Sequence, residues 1–336
     1  MKKRTAFGWA AGFLLGSAAL ALLTMRLGRF SMAPAEVFAT LFPGSMPGME
    51  VTQTMKNVVF NIRLPRVLLS LMVGAGLSVA GASFQSLFSN PLATPDTLGV
   101  ATGTSFGAAL GILLGLPMAL VQVSALVMGF VAVAVVYTVS RLRGGASMMM
   151  MILGGMVVSA LFSALVSLVK YVVDPQDVLP TITFWLMGNL SGTNYETLML
   201  GFPFIAGGTL IIFTLRWRLN ALSLNEEEAK TLGVNVSLVR ALVVIGSTMI
   251  TASVVSMCGL IGWVGLLIPH IARMMLGNDN RRVVPMSVGM GAVFMLVIDT
   301  VARTVFASEI PVSILTAVVG APVFIALLRK TGGIRG

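Results

Sequence analysis

Residues 97–140 read TLGVATGTSFGAALGILLGLPMALVQVSALVMGFVAVAVVYTVS and contain no Asp, Glu, Lys or Arg. A helix crosses the hydrocarbon core of a bilayer with about 20 apolar residues, so this run holds two spans, divided at Gly115-Leu116-Pro117. Outward from it, further charge-free runs extend over Thr5 to Met25, Val67 to Pro95, Gly144 to Val169, Thr197 to Leu215, Ala241 to Ala272, Val283 to Ile298 and Ile310 to Leu328. The run ending at Ala272 also holds two spans, split between Cys258 and Gly262. The chain therefore reads as all-α and polytopic, with about ten transmembrane helices in a single transmembrane domain over 1–336. Val178 to Tyr195 is uncharged too, but Pro180, Gly188, Asn189, Ser191, Gly192 and Asn194 break it, which predicts a short re-entrant or surface helix.

Composition agrees. Lys+Arg number 22 and Asp+Glu 12, making 10% of the chain charged against 57% hydrophobic, whereas a soluble domain carries about 25% charged residues. Too little polar surface remains to solvate a water-exposed exterior. Ten spans put both termini on one side. With the termini in the cytoplasm, fifteen basic residues lie inside and seven outside (Arg26, Arg29, Lys56, Arg63, Arg66, Lys170 and Arg303), as the positive-inside rule requires. The net charge of +10 is thus a topology signal, and no nucleic-acid partner is implied. Lys2-Lys3-Arg4 and the apolar stretch behind it also resemble a signal peptide, but no small-x-small cleavage site precedes Met25, which favours a retained first span.

Several chemistries are missing. No G-x-x-x-x-G-K-[ST] loop is present to cradle nucleotide phosphates, so ATP hydrolysis by this chain is not expected. A single cysteine, Cys258, rules out an internal disulfide, and a single histidine, His270, without a nearby carboxylate speaks against a metal site. His270 reads as a structural residue bonded to a backbone carbonyl. Proton-coupled carriers place ionisable groups deep inside their helices, and only Asp299 is a candidate here. It precedes Arg303 by four residues, which predicts a local ion pair.

Three stretches stand out. Gly99, Gly103, Gly107, Gly111 and Gly115 recur every four residues and predict a ridge for close helix packing; Gly74, Gly76 and Gly81 repeat the theme in the second span. Ser89-Asn90-Pro91-Leu92-Ala93-Thr94-Pro95-Asp96 must end a helix, because neither proline can continue it, and it fits a terminator and a rigid constriction at the cytoplasmic mouth equally well. Arg216 to Arg240 is the longest polar stretch inside. Ser223 and Glu226 have capping-box spacing, the acids Glu226, Glu227 and Glu228 suit a helix N-terminus, Gly233 can end that helix, and Asn235 can cap a second short one. A charge run of this kind usually reads as a solvated face, while two ordered helices in an otherwise loop-poor protein suggest a docking surface.

Ile62-Arg63-Leu64-Pro65-Arg66, Asn90-Pro91-Leu92-Ala93, Leu98-Gly99-Val100, Ala229 to Gly233, Gly265 to Arg273 and Glu309-Ile310-Pro311 to Gly320-Ala321-Pro322 together resemble the FecCD permeases. These are the membrane subunits of ABC importers for iron-siderophores, haem and vitamin B12. The resemblance covers essentially the whole chain and implies a ten-span permease of the type II ABC importer fold. It implies pairing with a second permease copy or homologue, two ATP-binding subunits that hold ATP and Mg, and an extracytoplasmic substrate-binding protein, with no cofactor in this chain. Position by position, it implies that Arg63, Arg66 and Arg303 meet glutamates of the binding protein, that Asn90, Leu92, Ser147 and Met148 form the cytoplasmic gate, and that Glu226, Glu227, Glu228, Ala229 and Gly233 couple to the ATPase. The run Met148 to Met151 departs from the family at the gate; flexible thioethers can seal a pore or simply pack. A ferric siderophore is the expected substrate, with haem, cobalamin and molybdate as alternatives, and the cytoplasmic (inner) membrane the expected location. An ion-coupled secondary transporter is the rival class, disfavoured by the scarcity of intramembrane charge.

Overall fold

A computed structural model describes residues 3–28, 30–46, 48–141, 148–223, 226–305 and 309–330. Every expected span coincides with a helix: α1 (Lys3–Arg26), α2 (Leu64–Leu87), α3 (Val100–Leu113), α4 (Met118–Arg141), α5 (Met148–Val172), α6 (Tyr195–Leu215), α7 (Val236–Cys258), α8 (Val264–Leu276), α9 (Asn280–Thr304) and α10 (Val312–Lys330). No strand occurs among the described residues. The helices containing α2, α4, α5, α6, α7 and α9 are each long and apolar enough to cross a membrane, whereas α3, α8 and the apolar part of α10 are shorter. The breaks fall where the helix-breaking residues stand. Gly115, in a left-handed conformation, separates α3 from α4, and Gly259 does the same between α7 and α8. Val178–Leu186 is a helix of 9 residues, too short to span.

The bundle is organised around α2, which is buried along nearly its whole length and packs against α6, α7, α8 and α9. Its glycines are the reason so many neighbours fit. A Cβ on Gly74 would overlap the Gly291 carbonyl of α9, one on Gly81 would overlap the Gly265 carbonyl of α8, and one on Gly76 would lie 2.9 Å from Ile250 Cγ2 of α7. In lipid there is no hydrophobic gain from bringing two apolar helices together, so such backbone-to-backbone approach is a main source of attraction. The expected ridge on α3 is also present in part. Gly103, Gly107 and Gly111 face Ala132, Ser124 and Val121 of α4 with no room for a side chain. The two outer members differ. Gly99 caps α3 in a left-handed conformation and abuts Ser159 of α5, while Gly115 belongs to the turn and has no heavy atom within 4 Å of a Cβ position. Gly115 is therefore a turn residue and makes no helix contact.

These contacts predict a ranking. Gly81→Ala should lower the stability of the detergent-purified chain by about 1–3 kcal/mol, because the overlapping atoms are backbone and cannot rotate away. Gly12→Ala in α1, where nothing lies within 4 Å, should not lower it. Thermal unfolding followed by tryptophan fluorescence checks both; equal midpoints for the two variants would show that the α2–α8 crossing is looser than described.

Candidate functional site

Charge in this chain is gathered at the two ends of the bundle. At one end, the segment Gln53–Lys56 runs into a π-helical stretch, Asn57–Arg63, and directly on into α2, so that Arg63 and Arg66 enter the bundle at the start of α2. Arg66 is held by two carboxylates from distant parts of the chain. Its Nη2 lies 2.8 Å and its Nε 2.9 Å from Asp299 Oδ1, and its Nη1 donates to Glu309 Oε2 at 2.9 Å and Oε1 at 3.0 Å. Arg63 donates to the carbonyls of Met25 and Phe30, and Arg303 to those of Thr24 and, at 2.9 Å, Leu27. Two guanidinium groups thus close the C-terminus of α1, where unpaired carbonyls and the negative end of the helix dipole attract cations. Gly28, at φ +145°, leaves room for both.

An outward rim of free guanidinium groups is therefore not what the isolated chain presents. Arg63, Arg66 and Arg303 are 4%, 8% and 9% exposed, and each is engaged internally. Nor is Asp299 chiefly paired with Arg303, whose Nε stands 3.8 Å from Oδ2; its main partner is Arg66. The spacing of four residues made the local pair visible, while the stronger pair joins α2 to α9 across the fold. Only Glu309, with a side chain 31% exposed, opens this cluster to its surroundings.

At the opposite end, α2 finishes in Gln85 and Ser86, and the turn that follows carries Asn90 and Leu92. Both are exposed, and the Asn90 side chain accepts the Leu92 amide at 2.9 Å. Met148 packs partly buried against the main core, Met149 and Met150 are exposed and Met151 is buried, so the methionine run is split between core and surface. Ser147 lies outside the described residues. Around these residues runs a polar network. Arg273 of α8 donates to Ser86 Oγ at 2.9 Å, to Asn280 Oδ1 and the Ala82 carbonyl at 3.1 Å, and more distantly to Gln85 Oε1. Asn280, at the start of α9, donates to Asn220 Oδ1 at 2.9 Å, and Asn220 donates to Asp279 Oδ1 at 2.8 Å. Burial pushes the Asp279 carboxyl up, but the hydrogen bonds from Asn220 and the Arg281 amide, with the charges of Arg281 and Arg282, outweigh it and hold the group below its usual range.

The segment expected to couple to a partner adjoins this network. A 3-10 turn, Arg218–Ser223, carries Asn220, and the helix Glu226–Thr231 follows. Leu224 and Asn225, between the Ser223 and Glu226 of the expected capping box, lie outside the described residues. Glu227 and Glu228 are exposed and Ala229 is fully buried. Gly233, at φ +72°, ends the helix in a Schellman arrangement, with the Val234 amide donating to the Ala229 carbonyl at 3.1 Å. Asn235 does act as an N-cap, accepting from the Leu238 amide, but of the long helix α7 and not of a second short one. His270 also departs from expectation. Its Nε2 is buried without a hydrogen-bond partner among the described residues, and its ring meets Phe324 edge-on at 5.6 Å.

A third feature was not visible as a site in the sequence. One face of α5, with Met149, Leu153, Met156, Val157, Leu161 and Leu168, is exposed over the length of the helix, along with Ser163 and Ser167. It bears no charge from Met148 to Val169.

A bundle of long apolar helices with charge gathered at its two ends is a polytopic membrane protein. The chain belongs to the FecCD transport family, whose model matches residues 14–330. It is 41% identical over 311 residues to the molybdate import system permease protein MolB of Haemophilus influenzae, with 92% of each chain covered. It is 38% identical over 289 residues to the "Probable iron chelatin transport system permease protein" of Helicobacter pylori, covering 85% of this chain and 86% of that one. A solved inward-facing metal-chelate type ABC transporter superposes with a TM-score of 0.86 at 40% identity, covering 96% of this chain and 98% of its counterpart. The protein is thus a multi-pass permease subunit of an ABC importer.

Removing one member of the buried ion cluster should be costly. Arg66→Ala leaves buried Asp299 with only the distant Arg303, 3.8 Å away, and should destabilise the chain by about 3–5 kcal/mol, whereas adding Asp299→Asn to it should recover part of the loss. Unfolding midpoints of the two single variants and the double variant check this; additive losses would show that the pair does not interact.

Proposed function

We propose that this chain forms one half of a permease dimer in the cytoplasmic membrane and imports a ferric-siderophore complex between the two halves, driven by ATP hydrolysis in two partner subunits. The observation that carries this reading is the α5 face. It is the most extended unpartnered surface described above, it is uncharged, and it begins beside Met148. A second permease facing it would enclose a pathway with a gate at that end. A neutral wall does little to offset the desolvation of a compact dianion, whereas a chelate surrounds its metal with ligand groups that do so themselves.

The excess of basic residues on the loops expected inside supports a cytoplasmic position for both termini and for the Asn280 end. There the exposed Glu227 and Glu228, with Leu232 beside them, offer the ATPase a short rigid helix anchored by the buried Ala229. The Asp299 end then faces the binding protein, and a partner carboxylate reaches Arg66 from the side of Glu309. The iron chelatin relative and the metal-chelate transporter support the ferric substrate. A second reading, molybdate, is favoured by the similarity to MolB over 92% of both chains.

Uptake of radiolabelled ferric siderophore and of radiolabelled molybdate, measured in parallel with the chain co-expressed with its ATPase and binding protein, separates the two. Ferric uptake alone supports the first reading, and molybdate uptake alone replaces it with the second. Reversing Glu227 and Glu228 to Lys should abolish copurification of the ATPase; an intact complex would refute the docking assignment.

A further inference from the structure

At the Asn280 end, the turn after α2 and the α8–α9 connection enclose a cavity of about 350 Å³ lined by Gln85, Ser86, Ser89, Asn90, Pro91, Leu219, Asn220, Arg273, Asn278 and Asn280. We infer that this cavity binds a tetrahedral inorganic oxyanion of the molybdate, tungstate or sulfate kind, and that the bound ion ties the Ser89–Ala93 turn to the α8–α9 connection.

The chemistry of the lining carries the inference. It holds a guanidinium, amides and hydroxyls, and no carboxylate. Arg273 is the contrast to Arg66: at the Asp299 end the cation is met by two carboxylates, while the partners of Arg273 among the described residues are all neutral. Its positive charge is therefore uncompensated within the fold. Nor are its donors used up. Nη2 takes three acceptors at 2.9–3.1 Å, but Nη1 has only the Asn278 carbonyl at 3.4 Å, although it carries two N–H groups. Around it, at the exposed mouth of the cavity, stand further donors that no described residue accepts from: the Asn90 side-chain amide, whose oxygen alone is engaged, the Asn278 side-chain amide and the Ser89 hydroxyl. The nearest acid on α9, Asp279, is turned to Asn220 and the Arg281 amide. A cation with spare N–H groups among neutral donors is matched by an anion with several acceptor oxygens, and charge-assisted bonds of this kind are the strong ones.

The position gives the ion a consequence. Ser89 and Asn90 belong to the turn assigned to the gate, and Arg273 and Asn278 to the other wall. An ion bridging them would hold that turn against the bundle. This part rests on the proposed cytoplasmic placement of the Asn280 end, and it makes the site a brake set by oxyanion on the delivery side.

Binding is tested first, on the purified permease in neutral detergent, by isothermal titration with tungstate. One ion per chain is expected, with affinity lowered about tenfold or more in Asn278→Asp, which places a carboxylate in the lining while keeping the backbone carbonyl that Arg273 Nη1 meets, and in Arg273→Gln. Unchanged affinity in both variants, no binding at all, or protection by phosphatidylglycerol but not by tungstate would overturn the site. In proteoliposomes containing the full importer, tungstate on the ATPase side should slow uptake and Asn278→Asp should relieve it. Slowing only from the opposite side, with binding in detergent intact, would refute the cytoplasmic placement and leave the site standing.

Discussion

The fold depends on how closely α2 is approached. At Gly74 and Gly81 the backbones of α9 and α8 come so near that no side chain fits between them, and at Gly76 the same holds for Ile250 of α7. Three helices are thereby fixed to one central rod by contacts that admit no substitution and little sliding. The Asp299 cluster and the Asn280 network are attached to the two ends of that rod. Arg66 stands at its beginning, and Gln85, Ser86 and the Asn90 turn at its finish. A displacement of α8 or α9 at one end must therefore be felt along α2 and not absorbed between helices.

The two ends use charge differently. At the Asp299 end, three arginines face two carboxylates and the carbonyls closing α1, so the cluster binds α1, α2, α9 and the segment before α10 together. Burying such groups is expensive unless every one is answered, and here nearly every donor is. At the Asn280 end, the ties are amides, a hydroxyl, the Asp279 carboxylate and a guanidinium whose partners are neutral, which hold α2, α8, α9 and the 218–223 turn. A firmly locked end and a more easily rearranged one suit a permease whose gate must open on one side. Any such rearrangement requires two packings of nearly equal free energy.

The spans were legible because charge is forbidden in lipid, so gaps in the charge pattern are gaps in solvent; the divisions at Gly115 and Gly259 to Gly262 followed from glycine and proline chemistry. What joins the spans was not legible. The pair of Asp299 with Arg66 spans the chain, and only the weaker neighbour at Arg303 carries a spacing signal. The glycine series on α3 looked continuous, yet its last member serves a turn, and the decisive crossings lie on α2, whose pattern is less regular. Arg63 and Arg303 had a resemblance to guide them but no way of showing that α1 would occupy them. The α5 face was an apolar span like any other until its neighbours were known.

The central claim is that this chain conducts and another supplies the energy. The direct measurement is substrate flux into proteoliposomes holding the full importer, with ATP supplied to the ATPase and ion gradients abolished. Flux that needs hydrolysable ATP and persists without any gradient is the result expected here. Flux through this chain alone, driven by a proton or sodium gradient and indifferent to ATP, would contradict it.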